Sequence, residues 1–197
     1  LVARRGLLYH KSNKDKIARI IFSNRERLIS LNANNGEFIK SFGGDGQVRT
    51  GLNVTTPVVY KNNIIIVTWD RAIEVYDLYS GKTKWKLKYI KKISKRYGGK
   101  KFNNNGSNSW GGISLDEHRG ILYFTTGNPH FYFDGTQRPG SNPNSCSLIA
   151  VDLEKREILW SFQETSHDIW NSDLPAPPIL TSIPRDNKKI DVVVTPT

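Results

Sequence analysis

Three stretches of this sequence can be laid over one another on a single acidic or amide position, and nothing else in it limits the fold as tightly. They are SLNANNGEFIKSF from Ser30, VYDLYSGKTKWKL from Val75 and AVDLEKREILWSF from Ala150, in which Asn32, Asp77 and Asp152 correspond. Gly36 and Gly81 follow four residues on, where a turn is needed. Trp85 and Trp160 lie eight residues after the acid, and the first copy has Lys40 there. The spacings are 45 and 75 residues. The first is the length of a propeller blade, and the second is a blade plus an insertion.

Short strands are predicted around each copy. TTPVVYKNN, IIIVTWD, AIEVYDLYSG and KTKWKLK read as four strands with turn residues between them, and GGISLDEHRG, ILYFTTGN, SLIAVDLEKR and EILWSFQE as four more. RIIFSN, RLISLNANNG and EFIKSFG make a partial unit before them, and PPILTSI with DVVVTPT begins another. No long amphipathic helix is visible. The predicted fold is therefore all-β, with about three blades' worth of antiparallel sheet. Leu1 stands where a translated chain has Met, and IDVVVTPT stops without a closing turn. Both ends are expected to be cut, so that residues 1–197 form part of a single β-propeller domain. A propeller needs at least about four blades to close, because each blade covers its faces only with its neighbours. The repeated acid is expected to cap its turn, and Trp85 and Trp160 to wedge between adjacent blades.

Composition removes several function classes. No run of 18 apolar residues exists, so no segment here spans a membrane as a helix. The single Cys146 excludes an internal disulfide and a cysteine-based zinc site. The net charge of +11 is concentrated between Lys82 and Lys101, where ten Lys or Arg stand with no acid. Such a run suits nucleic acid or an anionic membrane surface, but equally an edge strand guarded by Lys. The guarded edge is favoured and no nucleic-acid partner is expected, since aromatics do not interleave the run as in single-strand binders.

The chemistry-bearing residues gather in a few motifs. Trp110, in GSNSWGG, sits where a loop enters a strand. Its small or polar neighbours Asn108, Ser109, Gly111 and Gly112 favour an open indole face over a core position. Asn128, in TTGNPHF, ends a strand ahead of Pro129, a common turn pair. Arg138, in TQRPGSN, can either fix a loop or face an anionic group. In SHDIWNSDLPAPPIL, His167 and Asp168 can orient one another, Trp170 can pack near an axis, and Pro175, Pro177 and Pro178 hold the chain extended. If that stretch alternates as a strand, Asn171 and Asp173 share one face.

Taken together, the blade repeats and the motifs NSWGGISLDEHRGILYFTTGNP, RPGSN and HDIWNSDLPAPP, in that order, resemble the quinoprotein dehydrogenases. These are eight-bladed propellers that hold pyrroloquinoline quinone (PQQ) on the central axis, and the similarity is greatest to the membrane-bound glucose and polyol dehydrogenases. The resemblance implies that Trp110 is the flat floor under the quinone, with Asn108 and Arg138 in its surroundings. It implies that Asn128 offers an amide oxygen to Ca²⁺ (or Mg²⁺), with Asn171 beside the same ion. It also implies a periplasmic oxidoreductase acting on a sugar or polyol, with ubiquinone or another periplasmic acceptor as partner. Membrane association would come from parts outside this sequence. One position departs from the family, which has an aspartate as proton acceptor straight after the tryptophan, where Asn171 stands here. A neutral amide cannot take a proton, so base duty falls to Asp173 first, and otherwise to Asp168, to His167 or to nothing. The family's lysine near the quinone would fall just past Thr197. The alternative is a non-catalytic propeller scaffold of the same ancestry, similar to outer-membrane assembly lipoproteins. Asn171 favours that alternative, while Trp110, Gly127-Asn128 and RPG oppose it.

Overall fold

Runs such as NIIIV and AIEVYD carry β-branched and aromatic residues on both faces of a strand, so they need cover on both sides. The computed structural model describes residues 6–90 and 106–197, with the backbone alone at 96–97 and 100–101. Among the described residues the chain forms strands and no helix. They divide into two units, one up to Lys88 and one from Tyr89.

In the first unit, β1 (Leu8–Lys11), β2 (Ala18–Asn32) and β3 (Gln47–Asn53) form an antiparallel sheet in that order. β4 (Val58–Tyr60), β5 (Asn63–Val67), β6 (Ala72–Asp77) and β7 (Thr83–Lys88) form a four-stranded antiparallel meander. The two sheets share a core, in which Ile21 and Leu28 of β2 meet Ile64, Ile66, Tyr76 and Leu78. In the second unit, β8 (Arg96–Tyr97) pairs with β9 (Lys100–Lys101). A second meander follows, of β10 (Ile113–Asp116), β11 (Ile121–Thr125), β12 (Ser147–Asp152) and β13 (Glu157–Gln163). The hairpin β14 (Ile179–Arg185) and β15 (Lys188–Val194) comes last.

The repeat read in the sequence holds down to single residues. Asn32 Oδ1 accepts the Asn34 N–H, Asp77 Oδ1 the N–H groups of Tyr79 and Ser80, and Asp152 Oδ1 those of Glu154 and Lys155. Gly36, Gly81 and Arg156 then donate back to the carbonyls of Asn32, Asp77 and Asp152. All three take positive φ (76°, 70° and 60°), so the third copy keeps the left-handed turn although Arg replaces Gly. Trp85 pairs with Val75 and Trp160 with Ala150, and in both meanders the register shifts just beyond that pair. The Trp160 ring meets Tyr123 of its own sheet, at 5.9 Å between centroids. The indole is 41% exposed.

Two expectations at the N-terminal side need correction. RIIFSN and RLISLNANNG are one strand, β2, whose first part pairs with β1 and whose second part pairs with β3 after an irregularity near Arg25. EFIKSFG is not a strand: a single bridge joins Leu31 to Phe38, after which Gly43, Gly44 and Gly46 take positive φ and turn the chain. Ile39 and Phe42 are nevertheless buried, entering the core from a loop. The basic run also divides. Lys82 is exposed, as are Lys84, Lys86 and Lys88 on the edge strand β7; Lys84 lies 3.3 Å from Asp77, and Lys86 2.7 Å from Glu74. The remaining basic side chains, from Lys91 to Lys101, lie outside the described residues.

The capped turns make a paired prediction. A Cβ at Gly36 would meet nothing within 4 Å, whereas one at Gly81 would lie 2.6 Å from Val48 Cγ1 and 3.3 Å from Gly43 N. Gly36→Ala should therefore cost only backbone strain, about 1–2 kcal/mol. Gly81→Ala should add an overpacking penalty of about 1–3 kcal/mol. Urea unfolding midpoints of the two variants measure the difference, and equal losses would contradict it.

Candidate active site

An antiparallel meander places the start of β10, the end of β11, the start of β12 and the end of β13 at one end of its sheet. The motifs singled out in the sequence occupy the three loops at that end: the one entering β10, the one joining β11 to β12 and the one leaving β13. Beyond β11 the backbone of 126–128 is held from both sides. Thr126 N–H donates to Ser147 O (2.9 Å) and Cys146 N–H to Gly127 O (3.0 Å). Gly127 N–H donates to Asn108 O (3.0 Å) and Ser107 N–H to Asn128 O (2.7 Å). These bonds fix the backbone of the stretch. A Cβ at Gly127 would lie 2.2 Å from Asp173 Oδ1 and 2.9 Å from Trp110 Nε1. Only glycine lets the indole and the carboxylate close on this backbone. Sequence reasoning had passed over Gly127 as a site-shaping residue, although the Gly-Asn pair was its signal.

Asn128, Asn171 and Asp173 come together. Asn128 N–H donates to Asp173 Oδ1 (2.8 Å), and Asn128 Nδ2 donates to Asn171 Oδ1 (2.8 Å). The reason differs from the one expected: residues 166–178 are not a strand, so side-chain alternation does not apply. Asn171 takes φ 65°, and the Asp173 N–H bonds to the Asn171 carbonyl at 3.0 Å, a tight turn that swings both side chains toward Asn128. One Asp173 oxygen is fixed in this way, while Oδ2 accepts no hydrogen bond among the described residues. Neutral amide oxygens and a single carboxylate are donors that suit a hard cation, which takes about six to eight oxygens. Among the described residues no group of three His, Cys, Asp or Glu is placed to hold a metal. The donor type fits a hard cation.

Asp168 and His167 stand elsewhere. Asp168 is fully buried, with Oδ1 accepting the Trp170 N–H (3.0 Å) and Oδ2 the Ser172 N–H (2.9 Å) and the Cys146 thiol (3.7 Å). Its carboxylate caps the loop on both sides of Asn171. Burial, and then the Asp168 charge, push the Cys146 thiol well above its ordinary pKa. His167 does not pair with Asp168; its Nδ1 lies 2.8 Å from the Gly140 carbonyl, and its ring fills the space over Gly135.

Arg138 is 2% exposed. Its Nε and one terminal nitrogen donate to the Phe131 carbonyl (3.2 and 3.0 Å), the other terminal nitrogen to Asn142 Oδ1 (2.8 Å), and a further bond reaches the Asp168 carbonyl. Burial lowers its pKa, and the nearby Asp168 charge works against that shift. Trp110 is half-buried. The proline segment packs on the two glycines after it. A Cβ at Gly111 would lie 2.8 Å from the Pro175 backbone, and one at Gly112 2.8 Å from the Pro177 ring. Thr125 and Ser114 hydroxyls bind the carbonyls of Ala176 and Pro178, fixing that segment. Trp170 is 70% exposed, and Phe133 74%.

The second meander thus carries a half-buried indole, two amides and a carboxylate at one loop end. Residues 1–197 match the family model of the PQQ glucose/ethanol/alcohol dehydrogenase β-propeller domain, and the chain belongs to that family. It is 26% identical over 196 residues to the glycerol dehydrogenase large subunit of Gluconobacter oxydans (strain 621H), covering 87% of this chain and 26% of that protein. It is 25% identical over 230 residues to the quinoprotein glucose dehydrogenase of Escherichia coli (strain K12), covering 99% and 29%. Among solved structures, the quinohemoprotein alcohol dehydrogenase from Comamonas testosteroni shares its fold with a TM-score of 0.78 at 21% identity, over 98% of this chain and 32% of that one. A europium-containing methanol dehydrogenase does so with a TM-score of 0.76 at 20% identity, over 98% and 38%. The chain thus spans between a quarter and two fifths of the relatives it matches. No helix among the described residues is long and apolar enough to cross a membrane.

The capping role of Asp168 is open to measurement. An asparagine there keeps one acceptor oxygen and presents an amide NH2, a donor, to the second backbone N–H. Asp168→Asn should therefore destabilise the protein by about 1–3 kcal/mol, the cost of a buried donor left unmatched. Chemical denaturation reads this loss, and an unchanged midpoint would show that the loop does not depend on the carboxylate.

Proposed function

We propose that the full-length protein is a PQQ-dependent dehydrogenase that oxidises a CH–OH group of a sugar or polyol and passes the electrons to a quinone-type acceptor. Residues 1–197 would be part of one longer propeller, working in the periplasm, with any membrane anchor outside this segment. The observation that carries this is the closure of Trp110 and Asp173 on Gly127, next to the Asn128–Asn171 amide pair. A scaffold has no need of a glycine kept bare between an indole and a carboxylate.

Each residue then has a task. The Trp110 indole offers a rigid flat surface for a planar ring system, with Asn108 fixing the adjoining backbone. Asn128 and Asn171 offer amide oxygens to Ca²⁺ or Mg²⁺. PQQ, when bound, would supply the two-electron acceptor for the substrate's hydride, and the cation the charge that polarises it. Asp173 receives the hydroxyl proton at Oδ2, while Oδ1 stays anchored to the Asn128 N–H and keeps the carboxylate aimed. Asp168 and His167 serve the loop, and Arg138 binds loop carbonyls in place of a cofactor carboxylate. A second reading, a propeller without chemistry, draws on Asn171, which cannot act as a base.

Three variants of the full-length protein separate these readings, each assayed with PQQ, Ca²⁺, an artificial electron acceptor and a panel of sugars and polyols. Trp110→Ala should weaken PQQ binding. Asp173→Asn retains an oxygen for the Asn128 N–H and loses only the base. It should lower turnover by about 10²–10⁴-fold with PQQ affinity kept. Asn171→Asp restores a carboxylate beside Asn128 and should raise turnover. Wild-type protein that binds no PQQ, with no activity gained in Asn171→Asp, would establish the scaffold.

A further inference from the structure

Arg138 holds more than its own loop. Through the Phe131 carbonyl it grips the segment three residues beyond Asn128, and through the Asp168 carbonyl it grips the segment three residues before Asn171. The Asp168 side chain then takes the N–H groups of Trp170 and Ser172, on either side of Asn171. Asn142 locks the guanidinium from behind, accepting from it at 2.8 Å and donating to the Arg138 carbonyl at 2.7 Å. The loop that carries Asn142 is itself stitched down. Gln163 Nε2 donates to the carbonyls of Ser141, Asn142 and Ser145, and the His167 N–H donates to Ser141 O.

We infer that Arg138 is a positioning residue: its planar fork sets the separation of the loops bearing Asn128 and Asn171, and thereby the geometry of their amide pair and of Asp173. The inference rests on the site assignment proposed above. Two carbonyls on separate loops and one amide oxygen are met by one rigid group with five donors in a fixed plane. A lysine carries the same charge as a point on a flexible stem and cannot bridge the same three acceptors. The distinction matters because a cation that merely attracted an anionic cofactor would tolerate lysine. Groups that orient metal-binding or reacting side chains typically change affinity or activity by about 10–100-fold when replaced.

The test compares Arg138→Lys, Arg138→Met and the milder Asn142→Ala in the full-length protein. Hydrogen–deuterium exchange over residues 127–133 and 166–173, Ca²⁺ affinity by calorimetry in the presence of PQQ, and kcat/KM are measured for each. Lys and Met should behave alike, with faster exchange confined to those two segments and about 10–100-fold losses in Ca²⁺ affinity and kcat/KM. Asn142→Ala should move all three in the same direction by less, and it carries the test if the Arg138 variants do not fold. Unchanged exchange in the two segments for folded variants would overturn the inference. So would a Lys variant that restores Ca²⁺ affinity and kcat/KM, since charge alone would then suffice. If wild-type protein binds no PQQ, the functional proposal fails on that result, and the exchange pattern still decides whether Arg138 joins the two loops.

Discussion

Strands β5 and β12 bury side chains from both faces. Ile64, Ile65, Ile66 and Val67 are each no more than 1% exposed, and Ile149, Ala150 and Val151 are fully covered. Each such isoleucine or valine side chain is worth about 1.5–3 kcal/mol when removed from water. That gain requires another layer against each side of the sheet, as β2 provides in the first unit with Ile21 and Leu28. The demand for cover on two faces fixes how a sheet packs and leaves its loop ends unconstrained by the core. One end of the second meander is closed by the turns at Asp116 and Asp152, and the other is where Trp110, Asn128, Asn171 and Asp173 gather. The division of labour is between a packed sheet and one loop-bearing end.

Much of the sheet architecture was readable because its signals are local. An acid or amide followed four residues later by a positive-φ residue is a turn that any neighbourhood permits, and Asn32, Asp77 and Asp152 behave accordingly. Eight predicted strands fall in the two meanders for the same reason. The stretch from Glu37 to Phe42 misled because its apolar residues satisfy the core equally well from a loop. Ile39 and Phe42 are buried there without a ladder to hold them. Apolar character reports burial more directly than it reports strand.

The loop end was legible in part. Trp110 and Asn128 were picked out by their motifs, and they do lie at one place. The roles of Asp168, His167 and Arg138 could not be read, since each is set by bonds to carbonyls and N–H groups that no spacing announces. Asp168 looks in sequence like a second acid beside Asp173, yet one is enclosed with both oxygens bonded while the other keeps an oxygen that accepts no hydrogen bond among the described residues. Gly111 and Gly112 stand beside the indole in the sequence; in space they are where Pro175 and Pro177 pack. Composition around a residue describes its neighbours in the chain, and these neighbours are covered by a segment more than sixty positions away.

Cys146 carries a consequence for where such a protein can work. Its sulfur is fully buried, its S–H points to the Asp168 carboxylate, and its thiolate form is strongly disfavoured. Disulfide exchange and oxidation to sulfenic acid both begin at the thiolate and need access to it. A lone thiol is ordinarily a hazard in an oxidising compartment, where it can pair with another chain. Here burial first, and then the same carboxylate that caps the loop around Asn171, keep the sulfur protonated, so the thiol of this segment is shielded from such pairing.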